Sequence, residues 1–192
     1  SVLPFNLTCK AKWQDELSVV YDDNDWRHIF TLPLKVSYDK TLQSFQYKII
    51  QRILPTNSLL HLYKLLDDPA CIYCLNTTED IRHFFHTCPI KLEIWYQIAN
   101  WLFPNVNLFP YINAENILLG IHREGKEIEN SVILLIKRYF YGQKWIGNVV
   151  ALHCCKIYLK QIMKIETNFK HPQQRANNIA KWAPLRDILL IC

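Results

Sequence analysis

Residues 71–88, CIYCLNTTEDIRHFFHTC, read C-x2-C-x8-H-x4-C, and no other stretch constrains the fold as tightly. Cysteines two residues apart sit on a tight turn that aims both sulfurs at one point. A histidine and a third cysteine then close a four-ligand set. Zinc asks for such a set, tetrahedral, with sulfur at about 2.3 Å and imidazole nitrogen at about 2.0 Å. The spacing therefore predicts one zinc ion on Cys71, Cys74, His83 and Cys88. His86 is the rival nitrogen, but it lies two residues before Cys88, a poor bite for a tetrahedron, so His83 is favoured. Four protein ligands leave no position for water, so the predicted site is structural and not catalytic. Thr77 or Thr78 can cap a short helix carrying His83. Pro89 suits the first turn of the next helix, whose unpaired N–H groups favour a thiolate at Cys88. Arg82 is placed to offset the net negative charge of three thiolates on zinc.

The other cysteines, Cys9, Cys154, Cys155 and Cys192, bring the total to an odd seven, with one adjacent pair. That is no disulfide framework, and it points to a reducing compartment. The sequons at Asn6 and Asn76 are then incidental. His153, Cys154 and Cys155 are consecutive, about 100° apart on a helix, so they cannot converge on a second metal. No run approaches the roughly 18 apolar residues of a membrane span, and the opening residues lack a secretory pattern. The chain starts at Ser1 and its one Met is Met163, so it reads as a fragment of a longer polypeptide.

Apolar spacing predicts a mainly α fold, a helical domain with one embedded zinc-binding loop-helix unit. Residues 1–37 read as short helical pieces and loops. A helix is expected from Thr41 to Leu54, with Leu42, Phe45, Ile49 and Ile53 inward, and a second from Ser58 to Leu66 capped by Thr56-Asn57. After Pro89 comes a helix with Ile94, Trp95, Ile98, Trp101 and Leu102 buried, stopped by Pro104. A short helix spans Ala114–Leu119, and another runs from Ser131 to Tyr141. Gly142 to Gly147 is read as a break. Asn148 caps a last long helix to Phe169, and a basic tail follows from His171. Three segments follow: 1–66, a helical connector; 67–103, the zinc segment and its following helix; and 104–192, a basic helical segment.

Charge is uneven. Residues 131–192 hold 10 Lys+Arg against 2 Asp+Glu, whereas residues 1–130 hold 12 against 15. A basic third beside an acidic remainder predicts a polyanion partner, RNA and/or DNA, bound mainly by that third. Lys156, Lys160 and Lys164 recur at i, i+4, i+8 and form one stripe. Lys137, Arg138 and Lys144 add to it, and Tyr139, Tyr141, Trp145 and Tyr158 stand among these cations as candidates for stacking on bases. Tyr21-Asp22-Asp23 mimics a polymerase signature, but only 20 residues precede it, too few to supply the third carboxylate and its sheet. It is read as non-catalytic.

The motif and its flanks resemble the C-terminal region of the endonuclease–reverse transcriptase polyprotein of LINE-type non-LTR retrotransposons. The resemblance rests on CIYC, NTTED, HFFHTCP and Trp95 in KLEIW, on DWRHIFTLPLKV (25–36) and on LQSFQYKIIQRILPTNSLLHLYKL (42–65). It continues through NILLGI, SVILLIKRYFY and KWAPL, and is looser after 142. It implies a parent that nicks DNA, binds its own RNA and primes reverse transcription. It also implies a segment beyond the polymerase fingers and palm that grips template RNA or target DNA. Neither endonuclease nor palm is in this chain, so no catalysis is expected of it. Implied partners are RNA and/or DNA and the rest of the parent polypeptide, with no membrane and no small-molecule substrate, in the cytoplasm and nucleus. The alternative is a zinc-stapled protein-interaction module without nucleic-acid binding. A RING-type ligase needs about twice the ligands, and a retroviral knuckle uses a shorter C-to-H spacer.

Overall fold

The computed structural model describes residues 7–191. Among these residues ten α-helices follow one another: α1 Leu7–Leu17, α2 Asp23–Val36, α3 Lys40–Ile50, α4 Asn57–Leu62, α5 Pro89–Leu102, α6 Ala114–Leu119, α7 Glu127–Ile146, α8 Leu152–Thr167, α9 Pro172–Trp182 and α10 Arg186–Ile191. Extended pairing among them is limited to one isolated antiparallel bridge, Ala70 to Thr78. The mainly α expectation holds. No helix of the described residues is long and apolar enough to cross a membrane.

Several boundaries follow local chemistry. The Thr56 hydroxyl accepts from the Leu59 N–H and caps α4. Pro89 opens α5, where a missing N–H costs nothing. Asn113 caps α6, which ends at Gly120 with φ 95°. Asp22 and Asp25 form a reciprocal capping box that starts α2. The acidic pair that mimics a polymerase signature is thus employed in starting a helix, and Asp23 pairs with Lys10. Residues 7–36 are accordingly more regular than expected, two full helices in place of short pieces.

Two differences have tertiary causes. α3 stops at Ile50, because Arg52 adopts a left-handed φ of 59° and leaves Ile53 exposed. The Arg52 guanidinium lies 4.2 Å over Trp13 and pairs with Glu16, contacts that offset the backbone strain. α7 begins earlier than expected and runs straight through Gly142. It ends at Gly147, which takes the left-handed cap with φ 68°. A helical glycine costs about 1 kcal/mol, less than the burial of Phe140 two residues before it supplies. α8 then starts at Leu152 with Ala151 before it, so Asn148 caps nothing. The basic tail is helical, as α9 and α10.

α7 is the axis of the core. Val132 through Ile136 are all buried, a helix apolar on every side there because α2, α3, α8 and α9 surround it. The buried cluster runs from Trp13 to Leu189, so the segments 1–66, 67–103 and 104–192 all contribute to it. Four tryptophans are almost wholly buried, and each indole N–H is satisfied: Trp13 by the Ile50 carbonyl, Trp26 by Gln14, Trp95 by the Phe85 carbonyl and Trp182 by Glu166.

Candidate metal centre

The first two cysteines stand in a small hairpin. The Cys71 N–H donates to the Thr77 carbonyl at 2.9 Å and the Glu79 N–H to the Pro69 carbonyl at 2.8 Å. At the tip the Leu75 N–H returns to the Cys71 carbonyl, with Leu75 left-handed at φ 58°. This closure turns Cys71 and Cys74 to the same side. The second pair comes from a π-helical turn, His83–Thr87. Its start is capped by Asp80, whose carboxylate accepts from the His83 N–H, and not by Thr77 or Thr78. Its end is the Cys88 N–H bonded to the His83 carbonyl at 2.9 Å. Such a five-residue closure is a rare form often found at functional sites. Here it explains the four-residue spacer, because closing residue 88 on residue 83 sets both side chains on one side of the turn.

The four ligand atoms lie within 4.8 Å of one another. Cys71 Sγ is 3.9 Å from Cys88 Sγ, and Cys74 Sγ is 3.3 Å from His83 Nε2. Thiolates at about 2.3 Å from a tetrahedral ion stand about 3.8 Å apart, so the spacing fits zinc. His83 Nδ1 lies 3.4 Å from the Thr87 hydroxyl. With Nε2 as ligand, Nδ1 carries the proton and donates to that oxygen, which holds the ring in place. It is His83, not His86, that brings a nitrogen into the cluster.

Cys71 and Cys88 are fully buried. The Cys88 thiol is pulled down to about 7, first by the hydrogen bond from Cys71 and then, against burial, by the N–H groups of Lys91 and Ile90 in the first turn of α5. Cys71, as the donor in that pair, is pushed up. Arg82 reaches away to the Glu16 carbonyl of α1, which corrects its expected role as counter-charge. Lys91 takes that place. It is wholly buried, 3.1 Å over the Phe84 ring and 4.0 Å over Tyr73, and its ammonium makes no hydrogen bond to the described residues. A buried ammonium without a hydrogen bond, in the field of Cys88 and Cys71, is the complement of a cluster whose ligands and divalent ion sum to −1. The residues present therefore fit a zinc ion.

Glu79 fastens this unit to the fold. It is fully buried, ion-paired with Lys144 of α7, and accepts from the Asn57 N–H of α4 at 3.1 Å. Asn57 also accepts from Lys144 at 2.7 Å and donates to the Ala70 carbonyl at 2.6 Å. Phe84 and Phe85, from the same turn as His83, pack against Tyr141 and Phe45. No sequence pattern assigns these residues a docking role, since only contacts distant in sequence supply one.

The six cations expected at nucleic acid divide. Lys137 is buried and donates to Gln46 at 2.6 Å, and Lys144 is buried on Glu79 and Asn57. Neither faces solvent, so the expectation of phosphate contact is corrected for both. Arg138 is half-buried over Phe45. Lys156, half-buried, lies 4.9 Å over Trp101, Lys160 reaches the Leu190 carbonyl, and Lys164 is exposed. Lys170, Arg175 and Arg186 add exposed cations on and between α8, α9 and α10. The basic composition of the tail was their only signal. Tyr139 and Tyr158 stack on each other at 5.2 Å and Tyr141 bonds the Pro55 carbonyl, while Trp145 is exposed. Cys192 and the Asn6 sequon position lie outside the described residues.

Residues 8–95 match the model of a family described as zinc-binding in reverse transcriptase. The match contains all four ligand candidates together with Glu79 and Lys91. No curated protein and no solved structure matches the chain.

Proposed function

We propose that this chain is a non-catalytic, zinc-stabilised nucleic-acid-binding segment of a LINE-type non-LTR retrotransposon reverse transcriptase. In this reading Cys71, Cys74, His83 and Cys88 hold one structural zinc ion. The convergence of these four side chains within a match to a reverse-transcriptase zinc family carries the reading. The ion supplies cross-linking energy to the hairpin and the π turn. The protein's own residues do the rest: Thr87 fixes the His83 ring, Lys91 offsets the cluster's charge, and Glu79 with Lys144 docks the unit on α4 and α7.

Template RNA or target DNA is held, in this reading, on α8 to α10. The Glu166 carboxylate is consumed internally by Lys181 and Trp182, so the cations outside it stand in a field opposed among exposed acids of these helices only by Asp187. The segment works within the parent polypeptide, in the cytoplasm and nucleus.

A second reading, a protein-interaction module, draws on the exposed Leu62, Tyr63, Leu65, Ile72 and Leu75 beside the zinc hairpin. The two part on one set of measurements. Metal content, cobalt(II) spectra and RNA and DNA affinity across a salt series are compared for wild type, Cys71→Ser and His86→Ala. One zinc per chain, a three-thiolate cobalt spectrum lost in Cys71→Ser and kept in His86→Ala, and salt-dependent binding are expected. Zinc-loaded protein that binds neither nucleic acid would favour the interaction module.

A further inference from the structure

Between α8, α9 and α10 lies a cleft of about 290 Å³. Its floor is Trp182 and Met163, both buried, and the single polar atom of Trp182 is already bonded to Glu166. Its walls include Ile179 and Leu190, each about half exposed. Its rim carries Lys164 and Arg186, both exposed, and neither pairs with an acid among the described residues. The Thr167 hydroxyl in the lining is turned to the Met163 carbonyl at 2.7 Å. The interior is therefore apolar and the mouth cationic, with no carboxylate in the lining.

A ligand that complements this cleft has a flat apolar body and an anion a few ångströms from it. The volume is at the small end of ligand pockets, roughly 300–1,000 Å³, and admits one ring system but not a helix or a strand. A nucleotide has this shape, and only a single strand can offer a base unstacked. Lys156, Lys160 and Lys164 recur about 6 Å apart along α8, and Lys164 ends that row at the cleft's mouth.

We infer that this cleft is a base-binding subsite for single-stranded nucleic acid. One base enters between the half-exposed Ile179 and Leu190, while Lys164 and Arg186 hold its flanking phosphate. This inference rests on the nucleic-acid reading above and adds a ligand form and a place.

The test uses the full zinc-loaded chain and two fluorescent 12-nucleotide strands of equal charge, an oligouridylate and its abasic counterpart, read by anisotropy. Wild type is expected to bind the base-bearing strand about tenfold more tightly, the size of burying about 60 Å² of apolar surface. Ile179→Trp, which fills the cleft from a half-exposed position, should bring that strand to the abasic level and leave abasic binding unchanged. Lys164→Gln with Arg186→Gln should weaken both strands and flatten the salt slope by about two. If Ile179→Trp unfolds on a thermal scan, Leu190→Gln carries the same expectation. Equal binding of the two strands by wild type, or indifference to the filled cleft, overturns the subsite and leaves the nucleic-acid reading intact. Failure to bind either strand overturns both.

Discussion

Helices α7 and α8 are neighbours in sequence, and each carries three cations: Lys137, Arg138 and Lys144 on α7, and Lys156, Lys160 and Lys164 on α8. α7 turns two of its three inward, one to Gln46 and one to Glu79. α8 buries Cys155, Leu159, Met163 and Glu166, and its lysines fall one residue after the first three of these, about 100° around the helix. The first helix uses charge to organise the interior and dock the zinc unit. The second keeps charge at or near the surface, where a polyanion can reach it. The lesson is that a lysine's role follows from what surrounds its helix, since α7 is enclosed where α8 retains an open flank.

The comparison can be broken most severely at the zinc unit that Lys144 anchors. Removal of the metal by a chelator, or Cys71→Ser, is expected to cost the unit on the order of 10 kcal/mol of folding free energy. Hydrogen exchange should show protection lost across 67–90, while amides in the middle of α8 keep theirs. Protection lost equally in both would mean that the two regions fold as one unit and are not separable. Next in size is Glu79→Ala, which leaves the Lys144 ammonium buried without its carboxylate. A loss of about 3–5 kcal/mol is expected in denaturant unfolding. Nucleic-acid affinity of the folded protein should not change, and a parallel fall in affinity would put α7 in the binding surface.

Lys137 gives the pH test. Burial pulls its ammonium down from the usual lysine range, 10.5, to about 7. Between these values the unfolded chain binds more protons than the folded one, so this group makes stability rise with pH across that window and contributes no slope below it. The slope approaches about 1.4 kcal/mol per pH unit in mid-window. Lys137→Met should remove that rise, seen as a flatter dependence of unfolding free energy between pH 7.5 and pH 10 than wild type shows (test conditions spanning roughly that window). The smallest effect on stability belongs to α8. Lys156→Gln, Lys160→Gln and Lys164→Gln together should change unfolding by only about 0.5 kcal/mol each or less. They should nonetheless weaken RNA or DNA binding and flatten its salt slope by up to about three. Unchanged affinity would take the stripe out of the binding surface.

Much of the site and several helix boundaries are legible in the sequence. The Cys71, Cys74, His83, Cys88 set, the Thr56 cap, Pro89 at the head of α5 and α6 ending at Gly120 all rest on spacing or on one residue's chemistry. The misread elements rest on competition. Gly142 looks like a breaker when only propensity is counted, and Arg52 looks helical until Trp13 and Glu16 claim its side chain. The counter-charge moved from Arg82, adjacent to the ligand His83, to Lys91 because the partners of each come from other elements.

The amino-acid order by itself determined the candidate ligand set, the starts of α5 and α6 and the end of α6, because a four-ligand turn and a cap close within a few residues. Only the tertiary structure decided which of six similar cations lie inside, that Glu79 joins the hairpin to α7, and that Lys164 and Arg186 flank one apolar cleft. Burial and pairing depend on groups far apart in sequence, 91 residues for Lys137 and Gln46 and 145 for Lys181 and the Val36 carbonyl, and no local pattern carries that information.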